Sequence, residues 1–178
     1  MLQPRYYHGA ATVNGKLYVF GGSDGMGSSL ATVEAYDPVT NTWTSRAPMP
    51  TARDLFGIAV ANGIIYVIGG HVYGGNPSVL STVVAYNPAT NTWTTAPSMP
   101  TARYSLSAGE INGVIYAVGG IDPDSIFLDT VEAFTAPPPQ VSPPTSKDQC
   151  DNDGWRGFSV PRSFKNQGDC NQFVNKGK

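Results

Sequence analysis

Three arginines, Arg5, Arg53 and Arg103, stand at steps of 48 and then 50 residues in a chain of 178. Cations are otherwise scarce. Up to Ser146 only Lys16 and Arg46 join them, giving five basic residues against nine acidic ones. A guanidinium is a planar fork of donors that grips a carboxylate two bonds at a time, so a ring of such side chains favours carboxylates or other planar acceptors. The same spacing suits a structural role, in which each arginine bonds loop carbonyls or the acid of a neighbouring unit. Its recurrence in every copy, whatever the local loop contains, favours that second role. His8 and His71 are the only histidines. His8 falls where an inner strand is expected and reads as structural; His71 opens a loop and can meet a ligand. Asp54, Glu110 and Arg53 have the types needed for acid–base work, but nothing in the sequence pairs them.

Both cysteines, Cys150 and Cys170, lie in residues 147–178 with no histidine nearby. Zinc takes four N or S ligands, so a metal site is disfavoured. A disulfide is the better reading, because a loop of ~20 residues closed this way contributes about 3 kcal/mol and a segment this small needs a staple. It would imply an oxidising compartment; the alternative is two free thiols in a reduced tail. Asp151-Asn152-Asp153-Gly154 hints at calcium, yet it lacks the spaced acceptors and final Glu of a calcium loop and reads as an Asx turn. No metal and no cofactor are expected.

The elements that carry the arginines repeat with them. Each arginine opens a segment running through Asn-Gly (Asn14-Gly15, Asn62-Gly63, Asn112-Gly113), then Tyr, then Gly-Gly (Gly21-Gly22, Gly69-Gly70, Gly119-Gly120). A period near 50 with this content means repeated β-blades. In the second copy, 55–61 is small and apolar and suits a buried inner strand. Asn62-Gly63 favours a type I′ turn. Residues 64–68 form the return strand, and 71–79 a variable loop. A third strand lies near 80–86, Asn87 to Asn91 has turn chemistry, and Thr92-Trp93-Thr94 starts a fourth strand.

The Gly-Gly pairs, the Tyr before each, Tyr36 and Tyr86 in strand three, Trp43 and Trp93 after it, and the Met-Pro-Thr-Ala-Arg linkers at 49–53 and 99–103 together resemble the Kelch repeat of β-propellers. The resemblance covers residues 1–135. It implies an all-β, Kelch-type propeller fragment of three four-stranded blades (about 5–48, 53–98 and 103–135), the third lacking its outer strand because prolines follow Phe134. A proline-rich linker at 136–146 and a small disulfide-stapled module at 147–178 complete the chain. That module is similar to a C-terminal segment of many secreted microbial proteins. A propeller closes with about four to eight blades. Missing upstream blades or a second copy are therefore needed to close the ring, and Met1 aligns with the Met of each linker as if the chain began inside one. The uncovered side of the first blade should be apolar.

Strand directions place the binding surface. Strand two returns to the arginine end, so the arginines and the loops 23–31, 71–79 and 121–128 share one face, and variable loops on a rigid scaffold are where binding usually lives. The ligand candidates are Arg5, Arg53, Arg103, Asp24, His71, Tyr73 and Asp122. The resemblance implies that arginines at this position line the pocket in Kelch proteins that bind acidic peptides. It implies two enzyme classes as well. Kelch-containing oxidases need a Cys–Tyr crosslink that these blades, which hold no Cys, do not supply; sialic-acid mutarotases remain the alternative to binding. A net charge of −2 without a basic patch disfavours nucleic acid. A charged fraction of 13% is about half the usual value and fits secreted β proteins. No run approaches the ~20 apolar residues of a membrane span. The expectation is an extracellular or cell-surface binding module for a protein, peptide or glycan, with no catalytic residue assigned.

Overall fold

Asn14-Gly15, Asn62-Gly63 and Asn112-Gly113 all lie at positive φ, as a type I′ hairpin turn requires. Each joins two five-residue strands in the computed structural model, which describes residues 1–137. The described part of the chain is all β and contains no helix. The first blade is β1 (Gly9–Val13), β2 (Lys16–Phe20), β3 (Val33–Asp37) and β4 (Thr42–Arg46). The second is β5 (Gly57–Ala61), β6 (Ile64–Ile68), β7 (Val83–Asn87) and β8 (Thr92–Ala96). The third is β9 (Ser107–Ile111), β10 (Val114–Val118) and β11 (Val131–Thr135). Each blade is a separate antiparallel meander, and the third has three strands where the others have four. From residue 138 onward, the linker, the C-terminal module and the Cys150–Cys170 pairing expected from the sequence lie outside the described residues.

Alternation along each strand splits its side chains between the two faces of the sheet. In the first blade Val13, Tyr18, Phe20, Val33 and Ala35 face the second, which answers with Phe56, Ile65, Val67, Val84 and Tyr86. One step on, Ala61, Tyr66, Ile68, Val83 and Ala85 of the second blade meet Leu106, Ile115 and Ala117 of the third. The aromatic rings fill the wedge between sheets: Phe20 meets Trp93 edge-on at 5.9 Å and Tyr66 meets Phe134 at 5.7 Å.

Backbone bonds also step from blade to blade. Gly22 N donates to Arg53 O at 3.0 Å and Gly70 N to Arg103 O at 2.9 Å. Leu55 N donates to Tyr7 O at 3.1 Å and Ser105 N to Leu55 O at 2.7 Å. Tyr7, Leu55 and Ser105 hold positive φ to make this link, a conformation uncommon outside glycine. The glycines permit the close approach: a Cβ on Gly21 or Gly69 would lie 2.5 Å from the next blade's arginine carbonyl.

The uncovered side of the first blade is less apolar than expected. Val19 there is only 3% exposed, and the polar Glu34 takes the place of Val84. The larger uncovered apolar set belongs to the third blade, where Ile111, Val118 and Val131 are exposed.

Candidate functional site

The arginines lie inside the blades. Arg5 Nη1 donates to Gly21 O (3.0 Å) and Thr32 O (3.1 Å), and Nη2 pairs with Glu34. Arg53 Nη1 reaches Gly69 O (2.9 Å) and Thr82 O (3.3 Å). Arg103 Nη1 reaches Gly119 O (2.9 Å) and Thr130 O (3.2 Å), while Nη2 pairs with Glu132 at 2.6 Å. The side chains of Arg5 and Arg103 are wholly buried. In each copy one arginine nitrogen gives the glycine carbonyl at the end of strand two the donor it would otherwise lack, and shares the threonine carbonyl before strand three with that glycine's own N–H. This is the structural role. It corrects the ligand-facing placement, because a guanidinium already spent on backbone oxygens offers no open fork to a carboxylate. Val84 replaces the acid in the second blade, and burial pushes Arg53 down to about 10, still charged at neutral pH.

Asp24 and Asp122 also turn inward to their own loops. Asp24 Oδ1 accepts from Met26 N (2.8 Å) and Ser28 N (3.2 Å). Asp122 Oδ1 accepts from Asp124 N (3.0 Å) and Ile126 N (2.8 Å). These are Asx turns that fix loop shape. They lift apolar side chains outward: Met26 is 86% exposed and Phe127 83%.

His71 and Tyr73 come together with residues the sequence did not group. Asp54 and His71 exchange backbone bonds of 2.9 and 2.8 Å, which sets their side chains together. His71 Nδ1 lies 3.2 Å from Asp54 Oδ1, and Ser29 Oγ donates to Asp54 Oδ2 at 2.6 Å. Ser29 Oγ in turn accepts from Tyr73 N at 2.9 Å, tying the second loop to the first. A groove of about 170 Å³ runs between Tyr6, Tyr7, Asp54, Leu55, His71 and Tyr73. Tyr6, Tyr7 and Tyr73 are exposed, and the first two rings meet at a tilt of 52° with centroids 4.4 Å apart. The ring of Tyr104, from the third blade, lies 5.9 Å from that of His71.

The cluster presents hydrogen-bonding and aromatic groups and no assembled nucleophile. An ionised carboxylate only accepts, so Asp54 holds the hydrogen of His71 on Nδ1 and leaves Nε2 for a ligand. The Ser29 hydroxyl points to Asp54 and not to the imidazole, so the trio lacks the Ser–His contact of a nucleophilic triad. Glu110 sits beside the Asn112-Gly113 turn at the opposite end of its blade, so the acids Asp54 and Glu110 are not brought together. His8 is exposed and immediately precedes β1, outside the inner strand where it was expected. Tyr6 and Tyr7 gave no sequence signal beyond being aromatic. Asp54 was visible only as a possible acid, since its partners lie 17 and 25 residues away across loops.

Rigid antiparallel blades with pinned, variable loops along one face define a blade-repeat recognition scaffold. A family model for the Kelch motif matches residues 4–50, 52–100 and 102–135, and the chain belongs to the Kelch-repeat family, whose repeats generally mediate protein–protein interaction. Similar proteins include beta-scruin of Limulus polyphemus, 43% identical over 72 residues (39% of this chain and 8% of the relative). Human Kelch-like protein 35 is 44% identical over 71 residues (40% and 12%). A mouse influenza virus NS1A-binding protein homolog is 48% identical over 62 residues (35% and 10%). The matched stretch is thus a small part of each relative.

Proposed function

We propose that this chain is a recognition module of an extracellular or cell-surface protein, and that it captures a protein or peptide on the loop face. One observation carries the reading. Exposed apolar and aromatic side chains, Tyr6, Tyr7, Met26, Tyr73, Ile126 and Phe127, lie on or beside the arginine-end loops, and Tyr6, Tyr7 and Tyr73 line a groove with the partly exposed His71 and the buried Asp54 it pairs with. Tyrosine gives large contact area with few torsions to freeze, and hot spots are enriched in it. His71 Nε2 adds one directional polar contact at the centre. The NS1A-binding homolog, by its name, has a protein as its partner, which agrees with this choice. The extracellular setting draws support from the two cysteines and the low charge of the sequence.

The test is selection of peptides from a displayed random library against the full chain. Selected peptides should lose roughly 10- to 100-fold in affinity with Tyr73→Ala and with His71→Ala, as hot-spot truncations do, while the melt stays unchanged. Peptides whose binding ignores both substitutions would remove the loop face as the site. Retention on a glycan array in place of peptide enrichment would move the ligand class to carbohydrate.

A further inference from the structure

We infer that the groove between the first two loops takes an arginine side chain of the protein or peptide partner, an assignment that deepens the loop-face reading above and rests on it.

The groove favours a cation over an anion. Among the described residues that line it, Asp54 carries the fixed charge and none is Lys or Arg. Asp54 is 5% exposed, and its oxygens meet the Ser29 hydroxyl and the His71 ring, with no Lys or Arg in ion-pair contact among the described residues. A carboxylate sheltered from water acts on a neighbouring charge more strongly than one in bulk solvent. With the His71 hydrogen held on Nδ1, Nε2 of the neutral ring is an acceptor.

Tyr6, Tyr7 and Tyr73 add their rings. An aromatic face bears the negative side of the quadrupole and attracts a cation within about 6 Å of its centre. The three tyrosines are 47%, 56% and 64% exposed and so stay open to a partner. The tilt of 52° between Tyr6 and Tyr7 makes a corner and not a flat stack. Tyr73 is held in place: its amide is tied to Ser29 Oγ, and a Cβ at Gly27 would lie 3.3 Å from its ring.

Size and shape select the cation. The groove holds about 170 Å³, below the ~300 Å³ at which small-molecule pockets begin, so it suits one side-chain head and not a whole metabolite. A guanidinium is planar and can lie on a tyrosine ring while its edge donates to Nε2. An ammonium is more strongly hydrated and gives up more to enter.

The surroundings have the same sign. The loops 23–31, 71–79 and 121–128 contain Asp24, Asp122 and Asp124 and no Lys or Arg. Arg5 and Arg103 are paired with Glu34 and Glu132, and Arg53 is buried against the carbonyls of Gly69 and Thr82. The field at this face therefore draws basic segments, the reverse of the acidic ligand that the repeated arginines suggest.

Displayed peptides that bind the full chain and weaken with Tyr73→Ala and His71→Ala should share an arginine. In a synthetic copy of the tightest peptide, citrulline at that place, uncharged and of the same shape, should weaken binding roughly tenfold or more, and glutamate further still. Added salt should weaken the arginine peptide more than the citrulline one. Asp54→Asn keeps an acceptor for His71 and removes the charge, so it should erase most of the preference for arginine over citrulline. If Asp54→Asn does not fold, the exposed Tyr73→Leu replaces it: it keeps apolar bulk, loses the ring, and should narrow the same preference roughly threefold or more. Peptides that depend on Tyr73 and His71 yet share no arginine, or bind equally well with citrulline, would overturn the inference and leave the loop-face reading standing. Peptides indifferent to both substitutions would remove the loop face and this inference together.

Discussion

Removing Arg5 should be far more damaging than removing the acid it pairs with. Glu34 is 4% exposed at its side chain, and Arg5 also supplies donors to the carbonyls of Gly21 and Thr32. Arg5→Met keeps the length and leaves the buried Glu34 carboxylate without its charge partner, with only the Leu2 N–H still bonded to it, and breaking one side of a buried pair costs roughly 3–5 kcal/mol. At about 3–5 °C per kcal/mol for a unit of this size, the melt should fall on the order of 10–20 °C. The second blade shows what the converse change does. It holds Arg53 in the same carbonyl contacts with Val84 where the acid would be. Glu34→Val reproduces that arrangement, so its cost should stay near 1 kcal/mol, and Arg5→Met combined with Glu34→Val should recover much of the loss. Arg53→Met, which strands only carbonyls, should fall between, at about 1–3 kcal/mol. Urea unfolding of the four variants measures the order. An Arg5→Met protein that melts like the unaltered chain but loses selected peptides would refute the reasoning and restore the arginines to the ligand.

Gly69→Ala and Gly74→Ala share nearly the same φ, +62° and +68°, but only at Gly69 does a Cβ strike the Arg103 carbonyl, at 2.5 Å. Gly74→Ala should cost about 1–2 kcal/mol from the left-handed backbone alone, and Gly69→Ala at least ~2 kcal/mol more, read by urea unfolding. Burial pushes the Tyr86 phenol up to about 12, so its stabilising contribution is intact below pH 10 and lost as pH rises through 12. Tyr86→Phe should therefore flatten the alkaline fall of the melt, and because both proteins retain Arg53, whose titration acts in the opposite sense, the difference isolates the phenol. Mass spectrometry of secreted, non-reduced material should find Cys150 joined to Cys170; two alkylatable thiols in folded protein would defeat both the staple and the extracellular setting.

The parts of the fold legible in the sequence are those enforced locally and repeated. Asn-Gly specifies the hairpin turn because both residues tolerate positive φ, and residues 64–68 become β6 as expected. The third strand was read three residues early, near Leu80, because Leu80 to Thr82 look equally strand-like; they instead carry the carbonyls that Arg103 N, Met99 N and Arg53 Nη1 seek. The left-handed backbone at Tyr7, Leu55 and Ser105 left no trace, since three unrelated side chains sit there and the joint between blades imposes the conformation. The arginine position was legible, and its recurrence in every copy favoured the structural role that the carbonyl contacts show, although the same residues also stood among the ligand candidates. Which acceptors the guanidinium meets depends on the folded path that brings the Gly21 and Thr32 carbonyls to Nη1 and Glu34 to Nη2. The His71–Asp54–Ser29 cluster needed two loops and a strand end to converge, a coincidence that no single segment encodes.

Each loop of the arginine-end face is anchored at both feet. Ser23 bridges to Tyr6 on one side and Ser29 on the other; His71 does the same with Asp54 and Val79, and Ile121 with Tyr104 and Phe127. The stretch between the feet is therefore a cassette. Its entry and exit are fixed by main-chain bonds that any non-proline sequence can make, and lengthening such a loop costs only a slowly growing closure entropy. The sequence can change at residues 24–28, 72–78 and 122–126 without disturbing the sheets. The same three spans are the places to graft foreign recognition segments, with the bridging residues left as they stand.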